Sequence, residues 1–177
     1  MRSFLDRLYT ASGVLAALCL AGIAVVMLAQ AAMRELGLLL RGADDMVAWL
    51  CAASAFLALG HTFRHGEMVR IGLLIERLAP PVRQRTEVIT LGTALLVVAY
   101  IVYAAARFTY ESWQFKELAQ GLIQLPIWIP QSAFVAGALV LFIAVLDDFV
   151  ALLRGARPAY RAAEEARKGS ADFTETL

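Results

Sequence analysis

At 177 residues, with 60% hydrophobic and 18% charged side chains and a mean hydropathy of +0.68, the chain lies outside the composition range of water-soluble globular domains. Its uncharged runs are too long and too numerous for one water-soluble core, so the composition excludes a soluble enzyme and implies an all-α integral membrane protein. The formal net charge of +1 conceals an asymmetry, because basic residues cluster in alternate loops.

From Ala11 to Met33 no residue is charged, a run that at about 1.5 Å per residue crosses a hydrocarbon core of roughly 30 Å. The first span is therefore set at 11–33. Ala29-Gln30-Ala31 downstream of Arg2 and Arg7 looks like a signal-peptidase site. The apolar run exceeds the roughly 7 to 15 residues of a signal core, which favours a retained helix. The second span is 46–63. Asp44 and Asp45 open it, where acids suit a helix N-terminus by capping and by the dipole, and Trp49 is an interfacial anchor. His61, Arg64 and His65 close it with the opposite charge.

In the loop that follows, Met68, Ile71, Leu74, Ile75 and Leu78 recur at helical spacing while Arg70, Glu76 and Arg77 fall off that stripe, and Pro80-Pro81 ends the segment. The pattern predicts an amphipathic helix over 67–79. It is too short to span, so it lies along the membrane surface, against lipid headgroups or a partner subunit. The third span is 88–106, with Tyr100 and Tyr103 near its far end and Arg107 beyond. Residues 118–146 carry no charge but include Pro126 and Pro130. Proline belongs in a first helical turn, so the fourth span is placed at 130–146, with 125–129 as an apolar approach in which Trp128 anchors at the interface. Residues 1–157 thus make one membrane domain, and 158–177, rich in Ala, Glu, Arg and Lys, make a polar tail.

Of sixteen Lys and Arg residues, twelve fall in the N-terminus, the central loop and the tail; the other two loops hold only Arg34, Arg41, Arg107 and Lys116. The positive-inside rule then puts both termini and the central loop, with its surface helix, in the cytoplasm.

The chemistry that is missing narrows the function. A carrier that moves an ion by itself needs ionisable groups at mid-membrane or broken helices that face the substrate. The first three spans have no charged interior residue, and Ser12, Gln30, Ser54, Thr90, Thr93, Gln131 and Ser132 read as interhelical hydrogen bonds or small-residue contacts. Gly13-Ala17-Ala21 and Ala133-Gly137 have the spacing of close helix packing. His61 and His65 share a helical face without a carboxylate or cysteine beside them, so no metal is expected. Only one span has histidines, which argues against haem between helices, and no phosphate loop or nucleophile elbow is present. No cofactor, enzymatic activity or nucleic-acid partner is expected.

Leu59-Gly60-His61-Thr62-Phe63-Arg64-His65-Gly66-Glu67-Met68-Val69-Arg70-Ile71 resembles the DctQ-like small membrane subunit of tripartite ATP-independent periplasmic (TRAP) transporters. That family shows a Leu-Gly pair followed by Arg-x-Gly-Glu-His-Ile-Arg-Val-Asp before an amphipathic helix. Arg64, Gly66, Glu67, Val69, Arg70 and Ile71 fit, whereas Met68 stands for the usual His and Gly72 for the usual Asp. Asp44-Asp45 with Trp49 upstream, and Leu125-Pro126-Ile127-Trp128-Ile129-Pro130 with Gly137 downstream, are similar to further family features, and the likeness covers most of Arg34 to Leu146.

The resemblance implies a scaffold subunit in the bacterial inner membrane. It would support a large elevator-type permease subunit in sodium-coupled uptake of an organic anion delivered by a periplasmic binding protein. It also implies that Arg64, Glu67 and Arg70 orient the surface helix, against lipid or partner, and that Trp128 and the loop from Glu111 to Gln124 face the binding protein. The small subunit of a tricarboxylate-type carrier, a quinone- or haem-binding respiratory anchor, and a stand-alone membrane protein are the rival readings.

Overall fold

The computed structural model describes residues 2–65 and 80–154. Within them lie four helices, α1 (Arg2–Glu35), α2 (Ala43–Arg64), α3 (Pro80–Gln114) and α4 (Trp128–Leu153). All four are long and apolar enough to cross a membrane, and the described residues form no sheet, only an isolated bridge between Leu118 and Pro126. The expected all-α membrane fold with four spanning helices is therefore what the chain adopts. The surface helix expected over 67–79 and the tail over 158–177 lie outside the described residues.

Local chemistry sets the helix ends. α1 runs without proline to Glu35, where Gly37 takes a left-handed φ of 73°. The Leu38 N–H donates to the Met33 carbonyl (2.9 Å) and the Gly37 N–H to that of Arg34 (3.1 Å), the two bonds of a Schellman stop. Gly42, at φ 82°, precedes α2, and the Ile123 side chain fills the space a Cβ would need there. Both facts require glycine. Pro130 falls in the first turn of α4, where its missing N–H leaves no hydrogen bond broken.

In space the helices do not follow chain order. α1 packs on α2, α2 on α4, and α4 on α3, with only slight contact between α1 and α4. The result is a row, α1–α2–α4–α3, in place of a closed bundle. Between 11% and 33% of the residues in each span's most apolar stretch are buried by the chain itself, so much apolar surface is left for lipid or another protein to cover. Leu18, Leu28, Leu96 and Tyr100 are among the large side chains so exposed.

The tightest seam joins α2 to α4. Gly137 is buried against the Phe56 backbone, Gly60 against Val140, and the Phe56 and Phe134 rings meet edge to face with centroids 4.0 Å apart. Small residues let the two backbones approach closely enough for dispersion contacts and interhelical packing, which drive association where lipid is as apolar as the side chains. On α1, Gly13 receives the His61 ring, but Ala17 and Ala21 are exposed and Ala16 is the buried small residue. The apolar core, built on Tyr9, Phe63, Leu91, Val140, Ala144, Val145 and Leu152, is concentrated where α1 and α3 begin and α2 and α4 end.

Gly137→Val places a branched side chain inside the α2 backbone. We expect it to cost about 1–3 kcal/mol, as overpacking does, and to lower the unfolding temperature of the detergent-solubilised protein. Ala17→Val, on an exposed face, should leave that temperature unchanged; equal stability of the two variants would refute the seam.

Candidate functional site

Polar side chains gather at the two ends of the row. At one end Arg64, the last residue of α2, has a side chain only 17% exposed. One terminal nitrogen donates to Asp147 Oδ2 of α4 (2.9 Å) and the other to Asp6 Oδ1 of α1 (3.1 Å). The guanidinium carbon also stands 5.5 Å from the centre of the Tyr9 ring, within cation–π range. Arginine suits this position because its planar fork addresses two acceptors at once and a cation favours a helix C-terminus. Three helices thus meet on one side chain.

Further bonds tie the start of α1 to the end of α2. The Ser12 hydroxyl donates to the Leu57 carbonyl, and His61 lies with Nδ1 3.2 Å from the Tyr9 carbonyl. A carbonyl can only accept, so Nδ1 is the donor in this contact. His65 Nδ1 donates in the same way to the His61 carbonyl (2.9 Å), and the two imidazoles lie 4.1 Å apart. Asp148, one residue after the Arg64 ligand on α4, is almost wholly buried.

At the other end the two aspartates of α2 reach outward. The N-cap is Gly42, with no side-chain bond to the helix. Asp44 Oδ1 accepts from Gln30 Nε2 of α1 (3.2 Å), and Asp45 Oδ2 accepts from the Leu122 N–H (2.8 Å) with Gly121 pressed against its carboxylate. The acids still lie in the first turn of α2, where the dipole favours them, but their hydrogen bonds fasten α2 to α1 and to the 115–127 loop. That loop is folded on itself: the Ala119 N–H donates to the Leu125 carbonyl (2.8 Å), the Ile127 N–H to that of Glu117 (3.0 Å), and the buried Ser112 hydroxyl to Glu117 (2.9 Å). Pro126 lies in the bridge that closes the loop, and Pro130 begins the helix beyond. Trp113, Lys116, Pro126 and Trp128 are among the walls of an open cleft of about 480 Å³ there. Trp128 is exposed and Trp49 half-buried.

Of the residues singled out in sequence, the structure brings Arg64 into a three-helix junction and sets Asp44 and Asp45 in two separate contacts. Gly66, Glu67, Arg70 and Ile71 lie outside the described residues. Sequence reasoning passed over Asp6, Tyr9 and Asp147. The available signal was one of sign, since Asp6 and Asp147 are acids at the end of the spans where most Lys and Arg residues cluster. Among the described residues no three His, Cys, Asp or Glu side chains come together as a metal site.

The family model described as tripartite ATP-independent periplasmic transporters, DctQ component, matches residues 23–155. The chain belongs to this family. It is a small, multi-pass membrane component of a TRAP transporter. No curated protein matched the chain. Within this DctQ component the matched stretch contains Arg64, Asp147, Asp44 and Asp45, whereas Asp6 and Tyr9 precede it. The α1 half of the junction is therefore contributed by residues outside the family match.

A double-mutant cycle tests the junction. Arg64→Gln and Asp147→Asn should each lower the stability of the solubilised DctQ component, and together cost less than the sum, with a coupling of about 0.5–3 kcal/mol. Additive losses in chemical denaturation would show that the pair contributes nothing jointly.

Proposed function

We propose that this DctQ component is the static scaffold of its transporter. It braces a large elevator-type permease subunit that takes up an organic anion with sodium after a periplasmic binding protein delivers it. One observation carries the reading: within a transporter-component family, the interiors of the first three spans hold no charged residue. Without such groups or broken helices there is no foothold for an ion or anion at mid-membrane, so the transported species must bind elsewhere. The open row of helices supports the same reading, because its apolar faces give a partner room to pack.

In this reading the membrane is the bacterial inner membrane, and the Arg64 end faces the cytoplasm together with both termini and the 67–79 helix, an orientation that the distribution of Lys and Arg supports. Arg64 fixes the point from which the chain leaves α2, and Glu67 and Arg70 orient the surface helix that follows. The 115–127 loop, with Trp128 beside it, faces the periplasm within reach of the binding protein.

Two experiments test the proposal. In a cysteine-free background, Gln120→Cys should react with a membrane-impermeant maleimide in intact spheroplasts, and Ser170→Cys only after permeabilisation; the reverse pattern inverts the topology. For the scaffold role, Arg64→Ala should reduce both the yield of complex co-purified with the large subunit and uptake in reconstituted vesicles. Unchanged yield and unchanged uptake would count against it.

A further inference from the structure

Two concave surfaces meet at the first turns of α1. A cleft of about 240 Å³ is lined by Asp6, Tyr9, Thr10, Arg64 and His65. A longer, more open groove of about 660 Å³ is lined by Asp6, Arg7, Thr10, Ala11, Val14 and Leu15. Because Asp6 and Thr10 belong to both, the two form one continuous surface, polar at the helix end and apolar further along. Leu15 lies eight residues beyond Arg7, about 12 Å along the axis at 1.5 Å per residue, toward the middle of the span.

The charges on this surface are arranged in order. Arg64 divides its guanidinium between Asp6 and Asp147, so in the junction itself two carboxylates answer one cation and one negative charge is left over. Asp6 engages Arg64 through Oδ1, and its side chain remains 57% exposed. Arg7, the next residue, is exposed and makes no ion pair among the described residues. Val14 and Leu15 below them are 53% and 51% exposed. An excess negative charge, an adjacent cation and an apolar groove running into the span complement the ammonium, phosphate and acyl chain of a zwitterionic lipid.

We propose that this surface is a binding site for a phospholipid with a primary-ammonium headgroup, its ammonium on Asp6, its phosphate on Arg7, and an acyl chain along Ala11, Val14 and Leu15. A primary ammonium donates N–H bonds to a carboxylate. A quaternary choline has no such donor, and a glycerol headgroup brings no cation. The site rests on the membrane-spanning fold alone and not on the transport reading above.

Native mass spectrometry of the full-length, delipidated protein reloaded with equal amounts of phosphatidylethanolamine, phosphatidylcholine and phosphatidylglycerol tests it. The wild type should retain phosphatidylethanolamine over both others, and Asp6→Asn should erase that preference. Arg7→Gln should weaken phosphatidylethanolamine retention roughly tenfold, the order expected for one charge-assisted hydrogen bond. Asp6→Asn also loosens the Arg64 junction, so Val14→Trp, which fills the groove on an exposed face, supplies the independent arm and should lower retention with every charge intact. Equal retention of the three lipids by the wild type would overturn the proposal, as would a preference that survives both Arg7→Gln and Val14→Trp. If Val14→Trp leaves lipid retention intact but blocks capture of the large permease subunit, the groove belongs to a protein partner and the lipid site is refuted.

Discussion

Arg64 holds the ends of three helices through two carboxylates and one aromatic face, and much of the remaining arrangement depends on that contact. α1 and α4 touch each other only slightly, so their relation is set largely through α2. A row of helices lacks the mutual enclosure of a bundle, and each helix could slide or rotate against its neighbour at little cost in buried area. A charged fork that must meet Asp6 on one side and Asp147 on the other removes that freedom at one end. The junction stands at the ends of the helices, where the Asp6 and Asp147 side chains keep partial access to water. Its ions therefore avoid much of the desolvation penalty that burial in hydrocarbon would impose.

The two ends of the row are built differently. At the Arg64 end, two ion pairs from one guanidinium lie beside the apolar core, and Ser12 and His61 add hydrogen bonds between α1 and α2. At the opposite end the fastening is a pair of α2 carboxylates, Asp44 bonded to α1 and Asp45 bonded to the 115–127 loop, away from the main apolar core. Between the ends, the α2–α4 seam relies on the absence of side chains at Gly60 and Gly137. Polar fastening at both interfaces and close backbone approach in the middle are what a membrane protein can use when the hydrophobic effect no longer draws helices together.

These features support the scaffold role proposed above. The first three spans hold no charged residue in their interiors and no interrupted helix, and large apolar faces remain uncovered by the chain itself. This DctQ component is a row of helices tied together at both ends, with apolar faces left uncovered along its sides. The primary-ammonium lipid site proposed at the start of α1 would place a lipid against the same residue, Asp6, that completes the brace.

Composition and charge pattern alone determined that this chain is an all-α membrane protein with four spanning helices. Bilayer thickness, the need to satisfy every backbone group internally and the cost of charge in hydrocarbon leave few other ways to fold uncharged runs of this length. The stretch from Arg64 to Ile71 also carried the family resemblance, because a short ordered motif is legible without knowing what lies beside it in space. Only the tertiary structure decided that Asp6 and Asp147, 141 positions apart in the numbering, converge on Arg64. It also decided that Asp44 and Asp45 serve contacts with other segments, and that α4 inserts between α2 and α3. The reason is the same in each case: hydropathy reports how each segment meets its solvent, whereas the choice of neighbour depends on which side chains fit together across helices distant in sequence.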